Sequence, residues 1–273
     1  MNHRKILITN DDGIHSPGLL AAVEAVVEIG EVTVIAPSQQ QTGMGRSITG
    51  DADARLTPID YQMNGVKINA YHCECSPALI IRHSLNTLYA ADKPDLLISG
   101  INYGENLGVN ITTSGTVGAA LEGASFGIPT IAVSKQTDIE SHHKYTDQDW
   151  QTASHFLRYF SSILLDKKMP VDVEVLKIDV PAGADPSTPW KLTRLARTSY
   201  YSKVYQQPTK YSRIGDGRTE IAFDEKALDP DTDVYVFTID KAVSVTPLSL
   251  DSTSETNFSA LHKMLDISQK NNK

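Results

Sequence analysis

The segment KILITNDDG, residues 5–13, joins a short apolar run to two adjacent carboxylates. The run at 5–9 is rich in β-branched residues, which is typical of a strand that is buried on both faces of a parallel sheet. A helix is predicted next, because Ser16 is a good N-cap residue and Pro17 suits the first helical position. A second apolar run, EVTVIA at 31–36, predicts the next strand. The chain therefore opens with a strand–helix–strand unit.

The alternation of strands and helices continues to about residue 180. Such alternation predicts an α/β fold with a mostly parallel sheet that helices cover on both faces. The polar stretches 38–49 and 100–114 are predicted to be loops. Residues 1–185 are assigned to this core. Its further strands are predicted at 55–59, 66–71, 95–99, 130–134 and 173–180, and its further helices at 77–89, 115–126 and 147–165.

The sequence changes in character after Pro181, where several prolines mark a linker. Residues 186–273 are predicted to form a β-rich arm that ends in a helix near 255–267. Between Lys191 and Arg218 there are seven Lys or Arg residues and one acidic residue, with four tyrosines among them. Basic residues interleaved with aromatic ones can mark nucleic-acid binding. An arm that contacts another subunit explains the pattern equally well, and we favour the arm.

Composition narrows the class of protein. The 273 residues, 40% hydrophobic and 21% charged, suit one globular chain with a sizeable core. The formal net charge of −8 disfavours nucleic acid as a partner, because the surface would repel phosphates. No run approaches the ~20 apolar residues of a membrane span, and the N-terminus does not resemble a signal peptide. We expect a cytoplasmic protein in which Cys73 and Cys75 are reduced thiols.

Three predicted loops leave the carboxyl ends of strands, where open α/β sheets bind ligands. Asp11 and Asp12 repel each other unless a charge neutralises them, and a divalent cation with oxygen ligands does so. Thr42 offers a hydroxyl oxygen in the second loop, and Asn102 offers an amide oxygen in the third. Taken singly, each loop has a simpler reading as a solvated turn or a mobile connection. Together the loops predict a cation site at one sheet edge.

A phosphate site is predicted beside these oxygen ligands. Ser114, Gly115 and Thr116 stand at the start of a predicted helix, and the N–H groups of a helix N-terminus bind anions. Ser114 would alternatively serve only as the N-cap. The small residues within this helix, including Gly118 and Gly123, indicate close packing.

Five motifs, in order along most of the chain, resemble the SurE (survival protein E) family of 5′/3′-nucleotidases. The resemblance implies a Rossmann-like core and a C-terminal segment that is exchanged between subunits of a homodimer or homotetramer. The motifs are ILITNDDGIHSPG, VTVIAPSQQQTGMGRSIT, ISGINYGENLG, SGTVGAALEGASFGIPTIAVS and, near the C-terminus, SVTPL followed by Asp251.

The resemblance also implies an activity and a set of site residues. The activity is metal-dependent hydrolysis of nucleoside 5′- and 3′-monophosphates, and in some members of short polyphosphate, by a metal-activated water. One Mg²⁺ or Mn²⁺ per subunit is expected, and catalysis is assigned to Asp11, Asp12 and Asn102. The metal ligands carry over onto Asp11, Asp12, Thr42 and Asn102, and phosphate or substrate contacts are expected from Asn10, Gly43, Asn106, Ser114, Gly115 and Thr116.

Two residues depart from the family pattern. Thr42 stands where the family usually has serine; its hydroxyl can still ligate, but the methyl group adds bulk. Asp179 stands where the family often has asparagine, and the sequence gives no consequence for this change.

Other functions compete with this prediction. A phosphoaspartyl mechanism requires an acid two positions after the nucleophilic aspartate, and Gly13 and Ile14 occupy those positions. A dinucleotide site is disfavoured because no GxGxxG turn follows the first strand. The alternative from another class is a non-catalytic nucleotide- or RNA-binding protein that uses the basic, tyrosine-rich arm and shows steep salt dependence.

Overall fold

The computed structural model describes residues 4–63 and 65–270. The strands are β1 (Lys5–Thr9), β2 (Glu31–Pro37), β3 (Thr57–Met63), β4 (Val66–Cys73), β5 (Leu96–Tyr103), β6 (Thr130–Lys135), β7 (Val175–Val180), β8 (Trp190–Leu192), β9 (Tyr201–Val204), β10 (Arg218–Ile221) and β11 (Val243–Leu248). The α-helices are α1 (Pro17–Val26), α2 (Pro77–Asn86), α3 (Gly115–Ala124), α4 (Gln151–Asp166), α5 (Asp233–Thr238) and α6 (Phe258–Lys270).

One nine-stranded sheet organises the molecule, in the order β3-β4-β2-β1-β5-β6-β7-β11-β8. Six strands that are adjacent in this order, β4, β2, β1, β5, β6 and β7, run parallel to one another. The outer strand β3 runs antiparallel to β4, and β11 runs antiparallel to β7. Helices α1 and α4 pack on one face, and α2 and α3 pack on the other. The predicted fold class, a mostly parallel α/β sheet with helices on both faces, is confirmed.

The order of the strands reverses between β1 and β5. From β1 the chain moves outward through β2 to β4, and it then returns to place β5 on the opposite side of β1. In open α/β sheets such a reversal leaves a crevice beyond the carboxyl ends of the two strands. Asp11 and Asp12 follow β1 directly, and Asn102 lies near the end of β5. The topology therefore brings these three residues to the same crevice.

The predicted loop at 100–114 is wrong in its first part, because β5 continues to Tyr103. Gly100 has a φ of 130°, and a Cβ atom there would lie 2.2 Å from the carbonyl oxygen of Val133. The pairing of β5 with β6 is irregular between Ser99 and Asn102. The glycine therefore marks a close approach within a strand and not the start of a loop. Asn102 is consequently held by the sheet.

Residues beyond 185 contribute two strands to the main sheet and also form a separate two-stranded sheet. β11 pairs with β7, and β8 pairs with β11, whereas β9 and β10 form a separate antiparallel hairpin. The predicted terminal helix is α6, and the short helix α5 was not predicted. The hairpin starts beside Tyr200, which is buried in a cluster with Phe237. The division of the chain at residue 185 and the exchange of its C-terminal part between subunits stay predictions.

The helices and the two cysteines bear on what composition predicted. Within residues 4–63 and 65–270, no helix is long and apolar enough to cross a membrane. Cys73 and Cys75 are free and buried, with their sulfur atoms 3.2 Å apart.

Candidate active site

A cavity of about 330 Å³ opens at the crevice between β1 and β5. Its volume lies in the range of small-molecule sites. A larger groove of about 840 Å³ lies between α1 and the start of α4, but none of the predicted site residues lines it. Of the predicted site residues, the smaller cavity is lined by Asp11, Thr42, Gly43, Asn102, Asn106 and Ser114.

Asp11 is buried at the floor of the cavity and faces the start of α3. The hydroxyl of Thr116 donates to its Oδ1 at 2.5 Å. Burial raises the pKa of the Asp11 carboxyl, and hydrogen bonds from Thr116 and from the backbone of Gly115 offset part of that rise. Gly115 and Thr116 therefore stand behind Asp11 and orient its carboxylate, and neither of them lines the cavity.

Asp12 is also buried, with 2% of its surface exposed. The backbone N–H of Tyr103 donates to its Oδ2 and the side chain of Gln40 donates to its Oδ1, both at 3.1 Å. Burial and the neighbouring charge of Asp11 raise the pKa of Asp12 to about 8. Two carboxylates that disfavour ionisation in this way are stabilised when a cation binds between them.

Asn10 shapes the turn that presents the two carboxylates. Its amide nitrogen donates to the Gly13 carbonyl, and its amide oxygen accepts from the Gly13 N–H, both at 3.1 Å. Gly13 has a φ of 104°, a conformation that favours glycine. Asn10 is fully buried and does not line the cavity. The structure therefore places it in the support of the turn and away from the predicted phosphate contact.

Thr42 and Gly43 form the exposed wall of the cavity, on the loop that follows β2. The loop is held to α3 by a buried carboxylate. Glu122 is fully buried and accepts from the guanidinium of Arg46 at 2.7 Å and from that of Arg82 at 2.6 Å. The two arginines keep the pKa of Glu122 below its usual value in spite of burial. Because Arg46 belongs to the same loop, the ion pair ties Thr42 to the helix that supports Asp11.

Asn102, near the end of β5, and Asn106, shortly after that strand, line the opposite wall. The amide nitrogen of Asn102 donates to the carbonyl of Gly104 at 2.6 Å, so its amide oxygen is the atom available to a cation. The amide nitrogen of Asn106 meets the hydroxyl of Ser134 at 2.8 Å. That hydroxyl can donate as well as accept, so the Asn106 amide can turn over and present its nitrogen to a ligand.

Ser114 was predicted to contact phosphate or to cap the helix, and its position allows both. Its hydroxyl accepts from the backbone N–H of Val117 at 3.1 Å, so the N-cap interpretation is confirmed. The same residue lines the cavity. Its hydroxyl is therefore the group that can face a ligand, because its backbone N–H donates to the carbonyl of Ile111 at 3.2 Å.

Sequence reasoning missed the residues that close the cavity from the side. Glu105 is 3% exposed, and burial raises its pKa to about 7. His142 comes from the segment after β6, and Tyr201 and Lys203 come from the β9–β10 hairpin. The only sequence signal for the last two was the alternation of basic and aromatic residues. The β9–β10 hairpin contributes to the cavity of its own chain, and contact with another subunit stays a prediction.

The donor set suits a hard divalent cation. Asp11, Asp12, Thr42 and Asn102 offer only oxygen atoms, which Mg²⁺ and Mn²⁺ prefer. Among the described residues, no three His, Cys, Asp or Glu side chains cluster so that they could hold a metal ion. A cation here would therefore use two carboxylates, and neutral protein oxygens and water would complete its shell, as is usual for Mg²⁺.

Comparison with known proteins agrees with this arrangement. Residues 6–202 match the family model described as survival protein SurE. The chain belongs to the SurE family. Curated SurE relatives cover nearly its whole length and are named 5′-nucleotidase SurE. They include proteins from Methanothrix thermoacetophila, 36% identical over 97% of this chain and 99% of the relative, and from Thermococcus kodakarensis, 37% identical over 96% and 98%.

A solved SurE structure also has the same fold. The crystal structure of the SurE protein from Aquifex aeolicus matches with a TM-score of 0.72 at 29% identity, and the match covers 97% of this chain and 99% of that one. The fold and family predicted for the chain are therefore confirmed, and the first four of the five SurE motifs contribute residues that line the cavity.

Proposed function

We propose that this protein is a divalent-metal-dependent phosphomonoesterase that hydrolyses nucleoside 5′-monophosphates to nucleoside and phosphate. One observation carries the proposal: two adjacent carboxylates, Asp11 and Asp12, are buried beside a cavity at the topological switch point of the sheet. The relatives named 5′-nucleotidase SurE support the substrate class. Nucleoside 3′-monophosphates and short polyphosphate are proposed as further substrates.

Asp11, Asp12, Thr42 and Asn102 are the residues that would hold one Mg²⁺ or Mn²⁺ per subunit. When bound, such an ion polarises a phosphoryl oxygen and lowers the pKa of a water. Thr116 and the first turn of α3 orient Asp11. The contacts of Asp12 with Gln40 and Tyr103 leave lone pairs on both of its oxygens, so it can accept a proton from an attacking water.

The walls of the cavity suit the two ends of a nucleotide. Ser114 and the turned-over amide of Asn106 supply donors to phosphate oxygens, and the ammonium group of Lys203 supplies a positive charge on the same cavity. This local charge matters because the protein as a whole is acidic. Tyr201 and His142 form an aromatic edge contact, with ring centroids 5.7 Å apart, and provide a surface for the nucleoside.

A homodimer or homotetramer is proposed as the working assembly. Helix α6 exposes apolar side chains, among them Phe258 with 62% and Leu265 with 52% of their surface accessible. An amphipathic helix with an uncovered apolar face is a surface that a second copy can bury.

Phosphate release from a panel of nucleotides tests the proposed activity. We expect the parent protein, supplied with Mn²⁺, to release orthophosphate, and we expect Asp11→Asn and Asp12→Asn to lose several orders of magnitude in rate while staying folded. Asp240→Asn is the matched control, because Asp240 forms an ion pair with the exposed Lys191 and with no other residue that the structure describes. A parent protein that bound RNA with steep salt dependence and released no phosphate would support the binding alternative.

A further inference from the structure

Three charged side chains are buried together behind the cavity, and we call them the Lys177 cluster: Lys177, Asp179 and Asp233. All three have no exposed surface. The ammonium group of Lys177 donates to Oδ2 of Asp179 and lies 3.2 Å from Oδ2 of Asp233. Burial lowers the pKa of Lys177, but the two carboxylates outweigh burial and raise it above its ordinary value. Lys177 is therefore a buried cation.

The cluster holds the segment that begins at Asn106. The backbone N–H of Asn106 donates to Oδ1 of Asp179 at 2.7 Å, and its carbonyl accepts from Lys177 at 2.9 Å. Two residues later, the N–H of Gly108 donates to Asp233 at 2.9 Å. Both peptide groups of Asn106 are thus bonded to charged side chains, and such hydrogen bonds are the stronger ones.

Charge balance links Asp179 to Lys177. A buried ammonium group is costly unless it is paired. In this chain the pair Lys177 and Asp179 gives Asn106 one acceptor and one donor. A neutral pair of amides could supply the same acceptor and donor. The carboxylate at Asp179 is therefore coupled to the lysine two residues earlier on β7.

We propose that Lys177 and Asp179 are positioning residues that fix the backbone of Asn106, and so the placement of its amide against the phosphate group of the substrate. The inference rests on the proposed function, because it assigns the phosphate end of the cavity to Asn106. Lys177 and Asp179 do not line the cavity, so they act through Asn106 and do not contact the substrate.

Two double variants separate hydrogen bonding from packing. Lys177→Gln with Asp179→Asn keeps an acceptor and a donor for Asn106 and removes the charge pair. Lys177→Met with Asp179→Leu removes both the charges and the hydrogen bonds. The apolar variant leaves Asp233 buried without its ammonium partner, so we expect it to be less stable than the parent, and its melting temperature is measured first. The exposed pair Lys191→Gln with Asp240→Asn carries the same amide substitutions and serves as the matched control.

The readouts are KM for a nucleotide, kcat, the inhibition constant of orthophosphate, and the melting temperature. The apolar variant should bind orthophosphate on the order of 10²-fold more weakly and show a matching rise in KM, because a small misplacement of a binding group has effects of this size. The amide variant and the exposed control should stay close to the parent. An apolar variant with parent-like KM and inhibition constant overturns the inference, as does an amide variant as impaired as the apolar one.

Failure of the positioning role and failure of the proposed function give different results. A parent protein without turnover would refute the proposed function alone, because orthophosphate binding in the presence of Mn²⁺ can still be measured by calorimetry in every variant. If the apolar variant fails to fold, hydrogen exchange in the parent decides the matter. The Asn106 amide should exchange far more slowly than the amide of the exposed Val171, which donates no hydrogen bond to the described residues, and equal rates would overturn the positioning role.

Discussion

The hydroxyl of Thr116, at the start of α3, donates to the carboxylate of Asp11 at the end of β1. The helix N-terminus that was predicted to bind phosphate is thus aimed in part at a candidate metal ligand. We predict that Thr116→Val weakens Mn²⁺ binding and activity on the order of 10–100-fold, since groups that orient metal ligands have effects of this size. Thr116→Ser keeps the hydroxyl and should stay close to the parent. Equal Mn²⁺ titrations of the Val variant and the parent would refute this role.

Thr42 provides a second test of the ligand set. Thr42→Ser removes only a methyl group, so activity should survive. Thr42→Val keeps the shape of the side chain but loses the oxygen, and metal affinity should fall by about 10–100-fold. Activity as a function of Mn²⁺ concentration measures the difference. If all three proteins titrate alike, Thr42 only packs the loop, and water takes its place on the metal.

Gly118 tests how closely the Thr42 loop is packed on α3. A Cβ atom at Gly118 would lie 2.1 Å from the carbonyl oxygen of Gly45, so the loop must move to accept it. The predicted packing role of this glycine is confirmed. We expect Gly118→Ala to lower Mn²⁺ affinity together with stability, whereas Gly127→Ala should lower stability alone. Gly127 has a positive φ and nothing within 4 Å of its added Cβ. A Gly118→Ala protein with unchanged metal affinity would show that the loop moves without consequence.

The pKa of Asp12 predicts how the stability of the metal-free protein depends on pH. An aspartate in an unfolded chain titrates near pH ~4, whereas burial and Asp11 raise the pKa of Asp12 to about 8 in the folded protein. Between these values the folded protein holds a proton that the unfolded chain has released, so its stability falls as pH rises and levels off above about pH 8.

Asp12→Asn removes this proton and supplies the comparison. The free energy of unfolding of the variant, minus that of the parent, should grow from pH 4 to pH 8 by roughly a few kcal/mol. Denaturant unfolding in the presence of a chelator measures it. A difference that does not change with pH would mean that Asp12 titrates normally in the folded protein.

The strands and helices of the core could be predicted because their local patterns agree with the final packing. The run at 5–9 is a buried strand, and Ser114 is an N-cap at the predicted place. The 100–103 segment could not be predicted in the same way. Gly100 suggests a loop locally, but the contact with Val133 that requires it comes from another strand.

The candidate site was predictable only where its residues follow parallel strands. Asp11 and Asn102 meet because their strands are neighbours. Lys203 and Tyr201 reach the same cavity from a hairpin that folds back on the core, and no periodic pattern records that path. The meaning of Asp179 was likewise hidden, since Asn106, whose N–H donates to it, lies far away along the chain.

Orthophosphate release from a nucleoside 5′-monophosphate, measured before and after chelation, tests the metal-dependent site most directly. Asp11 and Asp12 are buried side by side next to the cavity. Because their negative charges repel a phosphate dianion, a cation is needed for the dianion to bind there. We predict that EDTA abolishes phosphate release and that added Mg²⁺ or Mn²⁺ restores it in the parent protein but not in Asp12→Asn. Undiminished release after rigorous removal of divalent metal would contradict the assignment of these residues.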